Sequence, residues 1–390
     1  MAWGRGPDRR LEVRLAVATR IGVAVTLVVA SALLSVSRAG SAPPAGVLVV
    51  GVGGSADDPA YLPIHAALAL GTFEAEGVAV VLRRAKHPTA ALELLRNREA
   101  AVAVTTLDQA IRGGWARGAP VRVVVAHLRA PAAALLVSAS ATARITRVQD
   151  LRGQKIGIPG PGTTGHHLLL HLLEDAHVKP WQADLQSLGG SALLTRLGTG
   201  DLAAALVDEP WATRALETRA GAVLLDLRRP DVAERALGGP FYEVVSVTPA
   251  ARPGGKKTDK AASEPAPLEP PPDAALAAYA RALIRVQTWL GTTPAVDVAE
   301  RLPTQLVGDR PRFVARLEAL RTAYATDGEA TPAGLAASVG VLRTGSPWPV
   351  TLVVGPKELR EPDAVTGARA SLGPTPAGCS RRCGGGPTRS

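Results

Sequence analysis

Residues 155–176, "KIGIPGPGTTGHHLLLHLLEDA", contain a short apolar run, a glycine-rich loop and a Leu-rich segment with helical spacing. An apolar strand that leads through such a loop into a helix is the repeating unit of α/β proteins. The stretch therefore predicts an α/β fold with parallel strands. Its glycines follow the pattern G-x-G-x-x-G, which raises the question of what the loop binds.

A dinucleotide site would need an acidic residue at the end of the following strand, about twenty positions after the loop. Asp184 lies 19 residues after Gly165, but it begins the apolar run "DLQSL" instead of ending it. Pro161 also removes one backbone N–H from the loop. The pattern disfavours a dinucleotide, and we expect no cofactor.

The same loop is also typical of an anion site. A helix N-terminus offers unpaired N–H groups and a partial positive charge, which suit a carboxylate, sulfonate, phosphate or nitrate. We expect Gly162, Thr163 and Thr164 to contribute, with His166 or His167 beside them. The alternative is that one threonine only caps its own helix, and the two roles are compatible.

The pattern of the loop unit extends in both directions along the chain. Strand-like and helix-like segments alternate from "VLVVGVG" at 47–53 to "VRVVVAH" at 121–127, and again from "AAALLVSA" at 132–139 to "YEVVSVTPA" at 242–250. This order predicts two α/β lobes in sequence. Residues 273–294 and 309–328 have helical periodicity.

The segments outside this pattern have distinctive compositions. Residues 1–42 combine arginines with an apolar run at 21–36 and end in small residues, which predicts export by a signal cut after about Ala42. The alternative is an uncleaved anchor, and the choice between Sec and twin-arginine export stays open. Residues 251–273 predict a disordered insertion, and 346–390 a poorly ordered extension. Cys379 and Cys383, the two cysteines, lie in that tail and have no assigned role.

The net charge of +10 is concentrated at the ends of the chain. Residues 43–378 carry 35 basic against 32 acidic residues and contain no dense basic run with interleaved aromatics. This charge distribution argues against a nucleic-acid partner.

Three segments together resemble a known family: "YLPIHAALALGTFEAEGVAVVL", "LRGQKIGIPGPGTTGHHLLLHLL" and "ALVDEPWATRAL". Their order is similar to that of the periplasmic solute-binding proteins of ABC importers in the nitrate/sulfonate/taurine and thiamine-pyrimidine-precursor group (SsuA/THI5-like, NMT1-like). The resemblance covers about 45–345. It implies a type II periplasmic-binding-protein fold with two lobes, each a mostly parallel sheet with flanking helices, joined by two crossover strands near 134–138 and 242–247.

The implied organisation is a first lobe from 43–133, a second from 134–241, and a return to the first over 242–345. The implied ligand-binding residues are Ser55, Tyr61, Thr105, Thr106, Gly162, Thr163, Thr164, His166, Asp208, Glu209 and Trp211. They fall beyond the carboxyl ends of predicted strands, where open α/β sheets bind ligands. An unusual acidic pair, Asp57 and Asp58, leaves the solute class open.

Several of these residues have structural alternatives. Asp208 equally suits a helix cap, and Trp211 equally suits the core. If Glu209 faces the cleft opposite the helix N-terminus, the site would suit a solute with an amine or aminopyrimidine at one end and an anion at the other. His167 and His171, at i and i+4, raise the question of a metal, but solvated or interlobe positions are favoured for His171 and His177, and we expect no metal site.

The resemblance thus implies a non-enzymatic receptor that captures a small anionic or zwitterionic solute and presents it to a membrane permease; the oligomeric state stays open. A partner ATPase would supply the energy, since the chain has no G-x-x-x-x-G-K-[ST] loop. The alternatives are a THI5-like enzyme of pyrimidine synthesis and a membrane-anchored sensor. Cysteines clustered near His65, paired catalytic carboxylates and a G-x-S-x-G elbow are missing from the sequence, which disfavours the enzyme.

Overall fold

The computed structural model describes residues 47–250, 270–345, 354–355, 357–359 and 362–372. The predicted export segment, both cysteines and residues 251–269 of the insertion lie outside them. No helix of the described ranges is long and apolar enough to cross a membrane.

The described chain forms two five-stranded sheets. The strands are β1 (Val47–Val52), β2 (Ala79–Arg84), β3 (Val102–Thr106), β4 (Val121–Ala126), β5 (Ala133–Val137), β6 (Lys155–Ile158), β7 (Asp184–Ser187), β8 (Ala204–Asp208), β9 (Ala222–Asp226) and β10 (Val244–Pro249). The first sheet has the order β2-β1-β3-β10-β4 and the second β7-β6-β8-β5-β9. Each lobe is therefore built on its own sheet, as the alternating sequence pattern predicted.

Helices flank both sheets. They are α1 (Leu62–Ala69), α2 (Thr72–Ala75), α3 (Pro88–Arg96), α4 (Leu107–Gln109), α5 (Thr164–Asp175), α6 (Gly190–Thr199), α7 (Trp211–Glu217), α8 (Pro230–Leu237), α9 (Asp273–Thr292), α10 (Ala295–Arg301), α11 (Thr304–Val307), α12 (Arg310–Leu320), α13 (Pro332–Arg343) and α14 (Asp363–Ala370). The helix predicted over 273–294 is confirmed by α9, and that over 309–328 is confirmed by α12 as far as Leu320; a short 3-10 turn at Arg321–Ala323 follows, and residues 324–328 are not helical.

The chain crosses between the sheets twice. After β4 it enters the second sheet at β5, which runs antiparallel to β8 and β9, and it returns through β10, which runs antiparallel to β3 and β4. In the first sheet β1 pairs in parallel with β2 and with β3, and in the second sheet β6 pairs in parallel with β7 and with β8. Because β5 and β10 are antiparallel, each begins at the edge where its parallel neighbours end.

The main apolar core extends through both lobes, and a second cluster packs the outer face of the second sheet around Leu193, Leu197 and Ala212. Central strands such as β1 are buried on both faces, which explains why they read as continuous apolar runs. Within the predicted C-terminal extension, α14 packs on the first lobe: Val365 is buried, and the Arg369 guanidinium donates to the Gly328 carbonyl at 2.6 Å.

Candidate functional site

The carboxyl ends of the two sheets and both crossovers meet in one region. Asp208 is the last residue of β8 and pairs in register with Ala133 at the start of β5. Val244, at the start of β10, pairs with Thr106 at the end of β3, which places Glu243 at the same edge. The loop after β1 adds Asp58 to this region. The backbone N–H of Ala132, next to Ala133, donates to Glu243 at 2.7 Å, so Glu243 lies beside the strand pair that ends at Asp208, and each of the three carboxyls raises the pKa of another.

Asp58 is held by its own turn. Its Oδ1 accepts the backbone N–H of Ala60 at 2.9 Å, and its carbonyl accepts that of Tyr61 at 3.0 Å. Burial raises the pKa of Asp58 to about 7; the Ala60 hydrogen bond lowers it, the negative charges of Glu243 and Glu209 raise it further, and Arg316 opposes them. This carboxyl therefore changes charge near neutral pH.

Tyr61 lies just before α1 and is 3% exposed. Its ring packs on the backbone of Gly54, where an added Cβ would come within 2.2 Å of the ring, so a glycine is required there. The buried Tyr61 hydroxyl has no hydrogen-bond partner in the structure. Burial, followed by the charges of Asp58 and Glu243, raises the pKa of this hydroxyl, so it is neutral and available as a donor.

Asp208 lies against the start of α5. A Cβ on Gly165 would be 3.1 Å from Asp208 Oδ1, so the missing side chain of Gly165 makes room for the carboxyl. Asp208 Oδ1 is buried and has no hydrogen-bond partner in the structure. Burial, then the charges of Asp58 and Glu209, raises the pKa of Asp208 to about 7. A buried carboxyl oxygen without a donor is costly, and such costs are usually explained by function.

Glu243 connects the two crossovers. Its Oε2 accepts the backbone N–H of Ala132 at 2.7 Å, and the Ala132 carbonyl accepts the N–H of Glu209 at 2.8 Å. Burial raises the pKa of Glu243 to about 7, the Asp208 charge adds to this, and the Ala132 hydrogen bond lowers it. Glu243 thus lies where the two crossovers meet.

Glu209, unlike its neighbour Asp208, is compensated by a cation. Its Oε1 accepts from Arg228 at 2.6 Å and from the Thr213 hydroxyl at 2.8 Å. Arg228 also binds Asp226 at 2.7 Å, and its guanidinium side chain is 4% exposed. Glu209 is therefore not a free carboxylate that faces the cleft, because Arg228 balances its charge inside the second lobe.

The glycine-rich loop is largely occupied by its own side chains. Thr163 caps α5 by accepting the N–H of His166 at 3.2 Å, and His166 Nδ1 accepts the N–H of Gly162 at 3.0 Å. Thr164 begins the helix, as expected, and is half-buried. Thr163 thus has the capping role that the sequence left as an alternative.

The other residues implied by the resemblance are placed at the same sheet ends but serve local structure. Ser55 is exposed and accepts the N–H of Asp57 at 3.1 Å. The buried Thr105 hydroxyl donates to the Pro88 carbonyl at 3.0 Å, and Thr106 caps α4. Trp211 packs on Gly190, where a Cβ would lie 2.2 Å from its indole Nε1. Binding roles for these residues remain predictions.

The histidines of α5 join the lobes. The Arg112 guanidinium of the first lobe donates to His167 Nε2 at 2.6 Å, which places the ring proton of His167 on Nδ1, where it faces the Thr344 carbonyl at 3.2 Å. His171 Nδ1 lies 3.4 Å from the Thr344 hydroxyl. Over the described ranges, no group of three His, Cys, Asp or Glu side chains is arranged to hold a metal ion.

Two members of the site were missed by sequence reasoning. Glu243 was visible only as an acidic residue before the second crossover strand, and Arg228 as one arginine in "DLRRPD". Both become informative only through contacts with residues distant in sequence. Asp58 was noted as an unusual acidic residue but was not assigned to the site.

Comparison with known proteins gives the wider context. Residues 58–234 match the family model described as NMT1/THI5 like. No curated protein sequence matches the chain.

Solved structures share the fold at low sequence identity. A protein from Bordetella bronchiseptica RB50 is 21% identical with a TM-score of 0.63, over 84% of this chain and 98% of the other. The periplasmic aliphatic sulphonate binding protein SsuA from Escherichia coli is 19% identical with a TM-score of 0.51, over 70% and 83%. The periplasmic nitrate-binding protein NrtA from Synechocystis PCC 6803 is 12% identical with a TM-score of 0.57, over 85% and 90%.

The resemblance drawn from the three sequence segments is therefore confirmed. Residues 58–234 match the NMT1/THI5-like family model, and the described chain has the two-lobed α/β fold of the periplasmic binding proteins.

Proposed function

We propose that the chain is an exported solute-binding protein that encloses a small molecule between its lobes and delivers it to an ABC permease driven by a partner ATPase. The observation that carries the proposal is the meeting of Asp58, Tyr61, Asp208 and Glu243 at the carboxyl ends of both sheets and at both crossovers. A ligand that contacts both lobes stabilises only the arrangement in which they are together.

The solute is a small organic molecule with a polar head. We call Asp58, Asp208 and Glu243 the carboxyl cluster. Among the solute classes that the sequence predicts, this cluster favours a zwitterion such as taurine, or an aminopyrimidine, over a simple anion such as nitrate. An anion next to Asp208 and Glu243 would add negative charge to a region where carboxylates already repel one another.

The competing functions have less support. An enzyme of pyrimidine synthesis would need a nucleophile or a redox group beside the carboxyl cluster, and the described cluster consists of carboxyls and a tyrosine hydroxyl. A membrane-anchored sensor would use the same cleft and differ only in its partner. The N-terminal apolar segment supports export in both cases, and the permease partner distinguishes the transporter component from the sensor.

Thermal unfolding of the full chain tests the proposal. A ligand bound only by the folded state raises stability by RT ln(1 + [L]/Kd), so one solute from a panel of nitrate, taurine, isethionate and 4-amino-2-methylpyrimidine should raise the melting temperature. With that solute bound, small-angle scattering should give a radius of gyration no larger than that of the ligand-free protein. If no solute of the panel stabilises the protein, the proposal in this form is rejected.

A further inference from the structure

We propose that residues 325–331 form a third passage of the chain between the lobes, that helix α13 moves as part of the second lobe, and that Arg369 fixes the start of this passage. The resemblance implied that residues 242–345 return to the first lobe as a whole. In our assignment, this stretch instead changes lobe at the third passage. How the lobes are joined is a question beyond solute binding, and it is tested without a solute.

Helix α13 packs on the second lobe. It contacts α5 and α8, which flank the second sheet. Just after α8, a Cβ on Gly239 would lie 3.1 Å from the Cβ of Ala337 in α13. Beyond the end of α13, a Cβ on Gly345 would lie 2.3 Å from Leu170 Cδ1 in α5, so this close approach needs a glycine. These contacts hold α13 against two helices of the second lobe.

The beginning of α13 is bonded to the segment between α8 and β10, where the second crossover starts. The backbone N–H of Thr331, the residue before α13, donates to the Tyr242 hydroxyl at 3.0 Å. The buried Ser338 hydroxyl oxygen accepts the backbone N–H of Tyr242 at 3.0 Å. The Tyr242 ring packs on Gly334 of α13, where a Cβ would lie 2.6 Å from the ring. Breaking these bonds would leave buried polar groups unpaired, so we expect α13 to stay with Tyr242 when the lobes move.

The third passage begins beside the first crossover. The side-chain amide of buried Gln287, in α9, donates to the carbonyls of Ala126 at 2.7 Å and Ala325 at 3.0 Å. Further along the passage, the Gly328 carbonyl accepts the backbone N–H of Ala126 at 3.0 Å. Two segments that leave the first lobe for the second are thus joined where they leave it.

Arg369 binds the same Gly328 carbonyl, to which its guanidinium donates at 2.6 Å. Arg369 lies in α14, which packs along α9 of the first lobe. The segment before α14 is also bonded to this lobe, because the backbone N–H of Val123 in edge strand β4 donates to the Leu359 carbonyl at 3.2 Å. A charged donor makes a stronger hydrogen bond than a neutral one, so Arg369 holds the start of the third passage against the first lobe.

A hinge with three passages differs from a hinge of two crossover strands. Separation of the lobes must also rotate residues 325–331, because the second lobe holds α13 and the first lobe holds Gly328. Residues 325–331 form neither a helix nor a strand, and hinge motions are absorbed by a few residues of this kind. Loss of the Arg369 hydrogen bond should free the start of the passage and let the lobes separate further.

Distances between spin labels on the full chain test this assignment. The labels attach to cysteines introduced at three exposed positions: Glu93→Cys in α3 of the first lobe, Glu174→Cys in α5 of the second lobe, and Ala336→Cys in α13. They are introduced in pairs, and Cys379→Ser and Cys383→Ser remove the native thiols. Double electron–electron resonance then measures the three distances that relate the two lobes and α13.

Arg369→Gln supplies the perturbation. We expect the distance from Glu93 to Glu174 to gain a component about 2 Å or more longer than in the wild type, because the lobes separate further. The distance from Ala336 to Glu93 should lengthen with it. The distance from Ala336 to Glu174 should stay constant, because α13 moves with the second lobe.

Two further variants make the result specific. Arg285→Gln makes the same change in the first lobe, but Arg285 bonds Glu76 and not the third passage, so all three distances should keep their wild-type values. Ser338→Ala removes the acceptor of the Tyr242 N–H and should broaden the distribution of distances from Ala336 to Glu174, because α13 is then held less firmly. Circular dichroism shows whether each variant is folded.

Other results would overturn the inference. In Arg369→Gln, a longer distance from Ala336 to Glu174 with a constant distance from Ala336 to Glu93 would assign α13 to the first lobe. Unchanged distances in Arg369→Gln, or an equal change in Arg285→Gln, would reject the role of Arg369. An unchanged distribution in Ser338→Ala would show that these bonds do not hold α13 to the second lobe. Because no solute is present, the receptor function is judged separately, by thermal unfolding.

Discussion

Glu243 accepts a hydrogen bond from the backbone N–H of Ala132 at 2.7 Å, so the side chain that begins one crossover is tied to the backbone of the other. Any rearrangement of one lobe against the other would have to pass through these two crossovers, and the bond lies at their junction. The same Glu243 belongs to the carboxyl cluster. One residue therefore belongs both to this cluster and to the junction of the crossovers.

Asp208→Asn should stabilise the ligand-free protein above neutral pH. The folded-state pKa of Asp208 is raised from 3.8 to about 7, so the folded state binds more protons than the unfolded state between these values, and stability falls as pH rises through this window. At pH 8 the substitution should raise the free energy of unfolding by roughly 1–3 kcal/mol, and at pH 4 it should have little effect.

Chemical unfolding of wild type and variant at pH 4, 6 and 8 measures this difference. Comparison with the variant is necessary because buried His127, whose pKa is lowered to about 3, imposes the opposite pH dependence on both proteins. A variant that is less stable than wild type at pH 8 would show that the Asp208 carboxylate is favourably paired, contrary to the structure.

Binding of taurine, whose aliphatic ammonium stays protonated over this range, should strengthen as pH rises from 6 to 8. Burial and mutual repulsion raise the pKa of Asp58, Asp208 and Glu243 to about 7 in the ligand-free state, so the group carries more negative charge at pH 8 than at pH 6. Only the ionised form attracts a cation, and we expect about a tenfold gain in affinity over this range. Titrations in buffers of different ionisation enthalpy should detect proton release. An affinity that is constant over this range would contradict the prediction.

Arg228→Met should destabilise the second lobe strongly. Arg228 is 3% exposed and bonds Glu209 and Asp226, so its removal leaves the buried Glu209 carboxylate without a cation. Breaking a buried ion pair in this way costs about 3–5 kcal/mol. Denaturant unfolding gives the loss directly.

Two further variants make the Arg228 prediction specific. Glu209→Gln added to Arg228→Met should recover part of the loss, because the amide oxygen keeps the Thr213 hydrogen bond without a charge. Arg229→Met, at the adjacent exposed arginine, should change stability little. Equal losses in the free energy of unfolding for Arg228→Met and Arg229→Met would show that the buried ion pairs of Arg228 do not stabilise the protein more than the exposed pair of Arg229.

The interlobe contact of His167 should respond to acid. Burial lowers the pKa of His167, so the ring is neutral near pH 7 and accepts a hydrogen bond from Arg112. Protonation would place two cations at 2.6 Å, which nearby Asp108 offsets only in part. The radius of gyration should therefore increase once pH falls below the ordinary histidine pKa of 6.5, as measured by small-angle scattering.

Matched substitutions assign that expansion to one histidine. His167→Gln removes the titrating group, keeps an acceptor and should abolish the pH response. His171→Gln, one turn along α5 and bonded only to the Thr344 hydroxyl at 3.4 Å, should retain it. The same expansion in all three proteins would place the pH response elsewhere.

The fold could be predicted from local pattern because each strand and helix carries its own signal. The apolar runs at β1, β6 and β8 are buried on both faces, and the loop at 159–165 turns directly into α5 as its glycines and threonines indicate. The position of the crossovers came from the family resemblance. Periodicity alone does not tell which sheet a strand joins.

The site was harder to predict because its chemistry depends on pairing between distant residues. Asp208 and Glu209 are adjacent in sequence, yet Arg228 neutralises one and leaves the other unpaired. The glycine loop carries a strong anion signature, but His166 and Thr163 use its N–H groups, and Asp208 approaches it from β8. These contacts depend on tertiary packing, which no local motif encodes.

The central claim is that a solute binds between the lobes with its nitrogen in the carboxyl cluster. A crystal structure of the full chain with the tightest-binding probe tests this most directly. The account predicts that the probe's nitrogen lies within about 3.2 Å of oxygens of Asp58, Asp208 or Glu243. A probe bound by its anionic end to the loop at 159–165, with its nitrogen away from the cluster, would contradict the claim.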